Sequence, residues 1–260
     1  MSTKQVQGKL WSIAPEYWSR HFEPFFLPVY KNVLQQINLE DDTLLLDAGC
    51  GAGMFSWMAI QTGAQVIGID AAPGLLQVAR ERNPDNSFLE EDLEAMPFSD
   101  NSFHVVTGFN SFQYAGNFEN ALLEAKRVLK PGGQLVICIW DKPEFSEATN
   151  ILKAIGTLMP PPPAGTPGPF ALSEEGRMES VIEKIGMKLQ YKASVACPIL
   201  YARLGDGIKS FMGTGPAAAA CNYVNEKKVK DTIAAALRTY RLPGGMYHLQ
   251  NQFLVFIAQK

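Results

Sequence analysis

Three glycines at alternate positions, Gly49, Gly51 and Gly53, follow a leucine run that ends in Asp47, in the stretch LLLDAGCGAGMF. Lacking a Cβ, glycine lets backbone N–H groups close on a ligand and tolerates positive φ. The spacing is GxGxG. A dinucleotide loop asks for GxGxxG with a small residue at the third site for close helix packing, and that site here is Met54. Asp70 stands 21 residues after Gly49 at the end of a second apolar run, QVIGID, where a carboxylate can accept from both hydroxyls of a ribose. That feature alone serves a nicotinamide or an adenosyl ligand. Asp47 separates the two, because a carboxylate beside a diphosphate repels it and so asks for a ligand that carries positive charge at that point.

The elements that must position these residues are legible as apolar runs separated by helical periods. TLLLD (43–47), QVIGID (65–70), SFLEED (87–92), FHVVTGF (103–109) and GQLVICIW (133–140) read as buried strands. Between them MFSWMAIQTG (54–63), APGLLQVARERNP (72–84) and NALLEAKRVLKPGG (120–133) read as helices with Pro at starts and Gly or Pro at ends. Such alternation predicts a doubly wound parallel sheet with ligands at the carboxyl ends of the strands, near the point where strand order reverses. Beyond Trp140, the Pro- and Gly-rich segment 157–172 reads as a stiff loop, and Ser173 as the cap of a helix closed by Gly186. Segments 188–198 and 248–259 read as two more strands. The stretch 199–247 between them far exceeds the two to five residues of a plain hairpin, and is expected to cover a pocket.

S-adenosylmethionine carries an ammonium and a sulfonium and no phosphate, which answers the demand Asp47 makes. LLLDAGCGAG, VIGID, EEDLEAMPFSDNSFHVV and EAKRVLKPGGQLVI, in this order over about residues 40–142, resemble a class I S-adenosylmethionine-dependent methyltransferase of the small-molecule, quinone-biosynthesis-like (type 11) subgroup. The resemblance implies an α/β, Rossmann-like seven-stranded sheet, mostly parallel with the last strand antiparallel. Length and composition read as one domain over 1–260, with lid helices in 1–40 and a cofactor-binding core in 41–142. By the same resemblance Gly49, Gly51 and Gly53 pack against the methionine and ribose of the cofactor, and Asp47 lies near its ammonium. Asp70 binds the ribose, Ala71 flanks the adenine, Asp92 accepts from the adenine amino group beside the Leu93 N–H, and Asn110 turns backbone toward the methionine. His104 departs from the family, which has Asp there.

Methyl transfer from a sulfonium needs alignment and exclusion of water, not a metal, and no carboxylate metal site can be assembled from the sequence. His21 and His248 are the candidate proton acceptors, since imidazole titrates near neutrality. Tyr17 and Trp18, in the aromatic stretch 10–26, are expected as lid residues, and Phe112, Gln113, Tyr114 and Trp140 as pocket liners. A net charge of −3 with no Lys/Arg run, and NSFQY where base-modifying enzymes carry a proline clamp, argue against a nucleic-acid substrate. Four dispersed cysteines, no apolar run near ~18 residues and no signal core fit a reduced, cytoplasmic protein without a membrane span. The expected partner is a small-molecule methyl acceptor, with the chain a monomer or homodimer. A nicotinamide-dependent oxidoreductase and a non-catalytic adenosyl-binding module are the alternatives.

Overall fold

The computed structural model describes residues 3–161 and 170–260, so that 162–169 of the Pro-rich segment lie outside the described residues. Strands β1 (Leu44–Ala48), β2 (Gln65–Asp70), β3 (Ser87–Glu90), β4 (Phe103–Phe109), β5 (Leu129–Trp140), β6 (Lys188–Ala196), β7 (Ile199–Tyr201), β8 (Tyr247–Leu249) and β9 (Gln252–Gln259) succeed one another along the chain. Seven form one sheet in the order β3-β2-β1-β4-β5-β9-β6. β1 is parallel to β2 and β4, β3 to β2 and β5 to β4, whereas β9 runs antiparallel between β5 and β6. The expected seven strands with an antiparallel last strand are therefore found.

Continuous apolar runs become strands buried on both faces, as in β1, while the edge strand β6 alternates between partly buried and exposed positions. Helices Met54–Ile60, Pro73–Arg82 and Phe118–Val128 make the crossovers. The last of these ends three residues before Pro131. The ring of Pro131 disfavours helical backbone at Lys130, so the chain extends into β5 before the Pro-Gly-Gly that was expected to stop it. One apolar layer packs helices Leu27–Gln36 and Met54–Ile60 on one face of the sheet. The other packs Phe118–Val128 and Arg177–Lys184 on the opposite face.

Two expectations are corrected. The final strand is interrupted at Gln250 and Asn251, where the Asn251 Oδ1 accepts from the Ala148 N–H at 2.8 Å; its first part, β8, pairs with β7 in a separate two-stranded ribbon. Ser173 caps no helix. Its hydroxyl donates to the Phe170 carbonyl at 2.9 Å, and the helix begins after Gly176, at φ +74°.

The N-terminal segment runs through Lys4–Trp11, Pro15–Tyr17, a π turn Trp18–Phe22, a 3-10 turn Glu23–Phe26 and Leu27–Gln36. Helices Leu204–Met212, Gly215–Ala220 and Glu226–Arg238 form the insertion, whose root the β7–β8 ribbon closes. The insertion braces the N-terminal segment from behind. Phe211 meets Phe22 edge-on at 5.6 Å, the Tyr201 hydroxyl donates to Ser210 Oγ at 2.8 Å, and Ser210 Oγ donates to the His21 carbonyl at 2.8 Å. A Cβ on Gly213 would fall 2.4 Å from the Trp18 backbone nitrogen, so only glycine permits this approach. Truncating the fully buried Phe211 to Ala should cost about 3–5 kcal/mol in denaturant unfolding, with faster hydrogen exchange over residues 18–26. Unchanged exchange there would show that the insertion does not support the N-terminal segment.

Candidate active site

The strand order reverses between β1, which continues outward to β2 and β3, and β4, which continues to β5. The carboxyl ends of these strands diverge there, and a cavity opens between them. Its floor is Gly49 and Gly51, and its sides are Asp70, Ala71, Asp92, Leu93, Asn110, Ser111 and Tyr114. The roof comes from the N-terminal segment: Gln7, Trp11 and Trp18. Trp18 lies edge-on to Trp11 at 5.0 Å and stacks on Phe22 at 4.9 Å, and Trp11 meets the Tyr114 ring at 5.7 Å. A wall of aromatic faces closes that side.

Asp70 fixes the loop as well as facing the cavity. One oxygen accepts from the Gly51 N–H at 2.9 Å and the other from the Ala72 N–H at 2.8 Å, which leaves each oxygen a further lone pair. The Gly49 and Cys50 N–H groups donate to the Ile69 carbonyl at 2.7 and 3.0 Å, so the loop is clamped to the end of β2. Gly49 has φ +80°, and a Cβ there would stand 2.2 Å from that of Ser111, whose hydroxyl donates to the Ala48 carbonyl at 2.7 Å. No side chain fits between the two strand ends. Asn110 is also left-handed, at φ +53°; its N–H donates to the Cys138 carbonyl, and its side-chain oxygen accepts from the Gln113 amide. The Asp92 carboxylate accepts from the Glu94 N–H at 2.9 Å, which turns the chain at the cavity rim.

Beneath the loop lies a pair of buried carboxylates. Asp47 accepts from Ser56 Oγ at 2.6 Å and Thr107 Oγ1 at 3.0 Å, and burial, partly offset by these bonds, raises its pKa to about 6. Glu23 accepts from Arg82 at 2.8 Å and from the Met54 N–H at 3.2 Å, yet burial still raises it to about 7. Glu23 was not foreseen. Its signal was in RHFEPFF, where one carboxylate sits inside an aromatic run. Ser111, Gln7 and Trp11 were also missed.

Several expected residues lie elsewhere. Gly53 (φ +77°) does not line the cavity: a Cβ there would be 2.9 Å from that of Ala79, so it allows helix 73–82 to approach, while the Asn83 amide donates to its carbonyl at 3.2 Å. Phe112 is buried in the core beneath β4, against Gly108, and Trp140 stacks on Phe253 at 4.4 Å. Gln113 holds Asn110 from behind, and Tyr17 packs against the core, with its ring 6.3 Å from His21. Neither His21 nor His248 lines the cavity. His21 faces the insertion through its carbonyl, and His248 sits in the β7–β8 ribbon, its N–H donating to the Tyr240 carbonyl. His104 lies at the other end of the sheet, where Nδ1 accepts from the Leu44 N–H at 2.9 Å. The insertion 199–247 supplies no described lining residue and packs instead against the N-terminal segment that roofs the cavity. Among the described residues no group of three or more His, Cys, Asp or Glu could hold a metal ion.

Residues 46–137 match the model of the family described as "Methyltransferase domain". Over these residues the chain is similar to methyltransferase domains. It is 38% identical over 101 residues to a demethylmenaquinone methyltransferase of Renibacterium salmoninarum, a match covering 39% of this chain and 43% of the relative. It is 35% identical over 116 residues to a malonyl-[acyl-carrier protein] O-methyltransferase of Erwinia pyrifoliae, covering 45% of this chain and 44% of the relative. The chain thus spans less than half the length of either relative. In fold it is similar to the YcgJ protein of Bacillus subtilis, with a TM-score of 0.60 at 19% identity over 89% of this chain and 97% of that one.

Glu23 and Asp47 titrate higher in the folded domain than in the unfolded chain. Between their ordinary values, near 4, and about 7, the folded state therefore holds protons that the unfolded state has released, and stability falls as pH rises through that window and levels off above it. Asp47→Asn should melt at or above the wild-type temperature at pH 8, because the amide and the Ser56 and Thr107 hydroxyls can reorient, and should show a shallower stability loss between pH 5 and about 7. A loss of several kcal/mol at pH 8 would make Asp47 a structural residue. Gly53→Ala, strained at positive φ and crowded by Ala79, should cost about 1–3 kcal/mol in urea unfolding.

Proposed function

We propose that the protein is an S-adenosylmethionine-dependent methyltransferase that passes a methyl group in line to an O, N or C atom of a small organic molecule. The observation that carries this reading is the pairing at the switch point: Asp70 faces the cavity across bare glycine backbone, and beneath the loop lie two buried carboxylates, Asp47 and the Arg82-paired Glu23. When bound, S-adenosylmethionine supplies a methyl group made electrophilic by its sulfonium. The residues present fit it. The second lone pairs of Asp70 can accept ribose hydroxyls, Asp92 with the Leu93 N–H can take the adenine edge, and Leu75 and Leu93 offer apolar surface to its faces. Trp11, Trp18 and Tyr114 exclude water and present ring faces that favour a cation.

No histidine of the described cavity takes a proton. Tyr114, whose pKa burial raises to about 12, stays a neutral phenol near pH 7 and acts as a hydrogen-bond donor or an apolar wall. Rate enhancement then rests on positioning and desolvation by the lid, which suits an acceptor that is itself nucleophilic.

The oxidoreductase reading loses one objection and keeps another. Gly53 performs the close helix packing that a dinucleotide loop assigns to its third glycine, so Met54 does not count against it. The Asp47 carboxylate, with no cation beside it among its hydrogen-bond partners, still opposes a diphosphate under the loop. An inert module has no use for the retained cavity. The acceptors named for the two relatives, a quinone precursor and a carrier-bound malonyl group, differ from each other, and their likeness to this chain covers 45% of it or less, so they support a small organic acceptor without choosing one. The net charge of −3 fits a non-nucleic-acid substrate, and among the described residues no helix is long and apolar enough to cross a membrane. A cytoplasmic monomer or homodimer completes the proposal.

Calorimetric titration should find micromolar binding of S-adenosylmethionine and S-adenosylhomocysteine to the wild type and none of NADH. Asp70→Ala should lose at least about tenfold in adenosyl affinity, the scale of one charge-assisted contact. NADH binding without adenosyl binding would reverse the assignment.

A further inference from the structure

Behind the glycine loop the main cavity adjoins a small chamber of about 30 Å³, and the two share Trp18, Gly49, Gly51 and Phe109. Its polar walls are Asp47, at the end of β1, and Glu23, from the 3-10 turn of the N-terminal segment. Tyr30 and Cys50, both raised well above their usual ranges by burial, are the other titratable walls and stay neutral. Arg82, 2.8 Å from Glu23, pairs with one of the two carboxylates. Above about pH 7, with both carboxylates ionised and one guanidinium beside Glu23, the group carries one negative charge more than positive, in a place where an uncompensated charge is costly. A cation entering the chamber would balance it.

The same wall holds a donor in need of an acceptor. The Trp18 indole N–H is buried without a hydrogen-bond partner, and it stands 3.5 Å from where a Cβ on Gly51 would be. A ligand group that brings a cation and an acceptor together, at the edge of an adenosyl site, is an α-amino acid. Thirty cubic ångströms of this kind of space holds about two water-sized groups, the size of an ammonium and one carboxylate oxygen.

We propose that the N-terminal segment is part of the cofactor site itself: Glu23 accepts from the ammonium of the ligand's amino-acid end, beside Asp47, and Trp18 Nε1–H donates to its carboxylate. This inference rests on the adenosyl reading above. It makes cofactor binding and closure of the lid one event, since both groups arrive on the segment that roofs the cavity, and it restricts the site to adenosyl ligands that retain the amino-acid end.

The test compares S-adenosylhomocysteine with 5′-methylthioadenosine, which keeps the nucleoside and the thioether and lacks the amino acid. Calorimetry on the full chain uses the wild type, Glu23→Gln, which keeps shape and loses charge, and Trp18→Phe, which keeps an aromatic ring and loses the N–H. The expected result is a loss of about tenfold or more in S-adenosylhomocysteine affinity in Glu23→Gln and a smaller loss in Trp18→Phe, with 5′-methylthioadenosine within about twofold throughout. Equal losses for both ligands, or none for S-adenosylhomocysteine, would overturn the proposal and leave the adenosyl reading standing. A wild type that binds neither ligand would remove both. Should Glu23→Gln fail to fold, Trp18→Phe decides by the same comparison.

Discussion

The carboxylate of Asp70 holds two backbone N–H groups that belong to different elements, Gly51 in the loop after β1 and Ala72 just before helix 73–82. The Gly51 bond ties the loop after β1 to the end of β2, and the Ala72 bond turns the chain from β2 into the next helix. A carboxylate in this position is already largely desolvated, and burial raises its pKa against the pull of the bonds it accepts. Its remaining lone pairs are therefore poorly solvated acceptors aimed at a cleft. Structural and binding roles reside in the same four lone pairs, so the loop is rigid in the place where a ligand would need a rigid floor.

Everything else around the cavity maintains that floor or covers it. Gly49 lets β4 carry Ser111 across the loop, and Gly53 lets helix 73–82 close against it. The roof is aromatic, and its position depends on elements far along the chain: Phe211, Ser210 and Gly213 of the insertion hold Phe22, His21 and Trp18. The insertion thus governs the site without touching it. Such an arrangement suits a reaction in which the protein aligns two partners and keeps water out, because the lid can be held in place without placing polar groups in the reaction path.

How much of this was legible in the sequence follows from how local each determinant is. The strands and crossover helices showed themselves through apolar period, and the glycine spacing, Asp70 and Asp92 through their offsets from strand ends. The glycines, Asp70 and Asp92 are set within some fifty residues of chain, and all but Gly53 lie at the cavity. Side-chain direction past the end of a strand was not legible. Phe112 turns into the core because Gly108 leaves it room, and Trp140 because Phe253, on a strand more than a hundred residues later, offers a ring to stack on. The histidines failed for a related reason: their chemistry suited the task, but their backbone places them on the insertion side of the lid. Glu23 went unseen because its meaning comes from Arg82 and Asp47, which only the fold brings to it.

The proposed function places an adenosyl ligand across the switch point with its ribose on Asp70. A crystal structure of the chain with S-adenosylhomocysteine tests it most directly. The expected complex has both ribose hydroxyls on the Asp70 carboxylate, the adenine edge at Asp92 and Leu93, and the sulfur over Gly49 and Gly51 beneath Trp18. A ligand bound with its ribose away from Asp70, or found outside the space between β1 and β4, would contradict it.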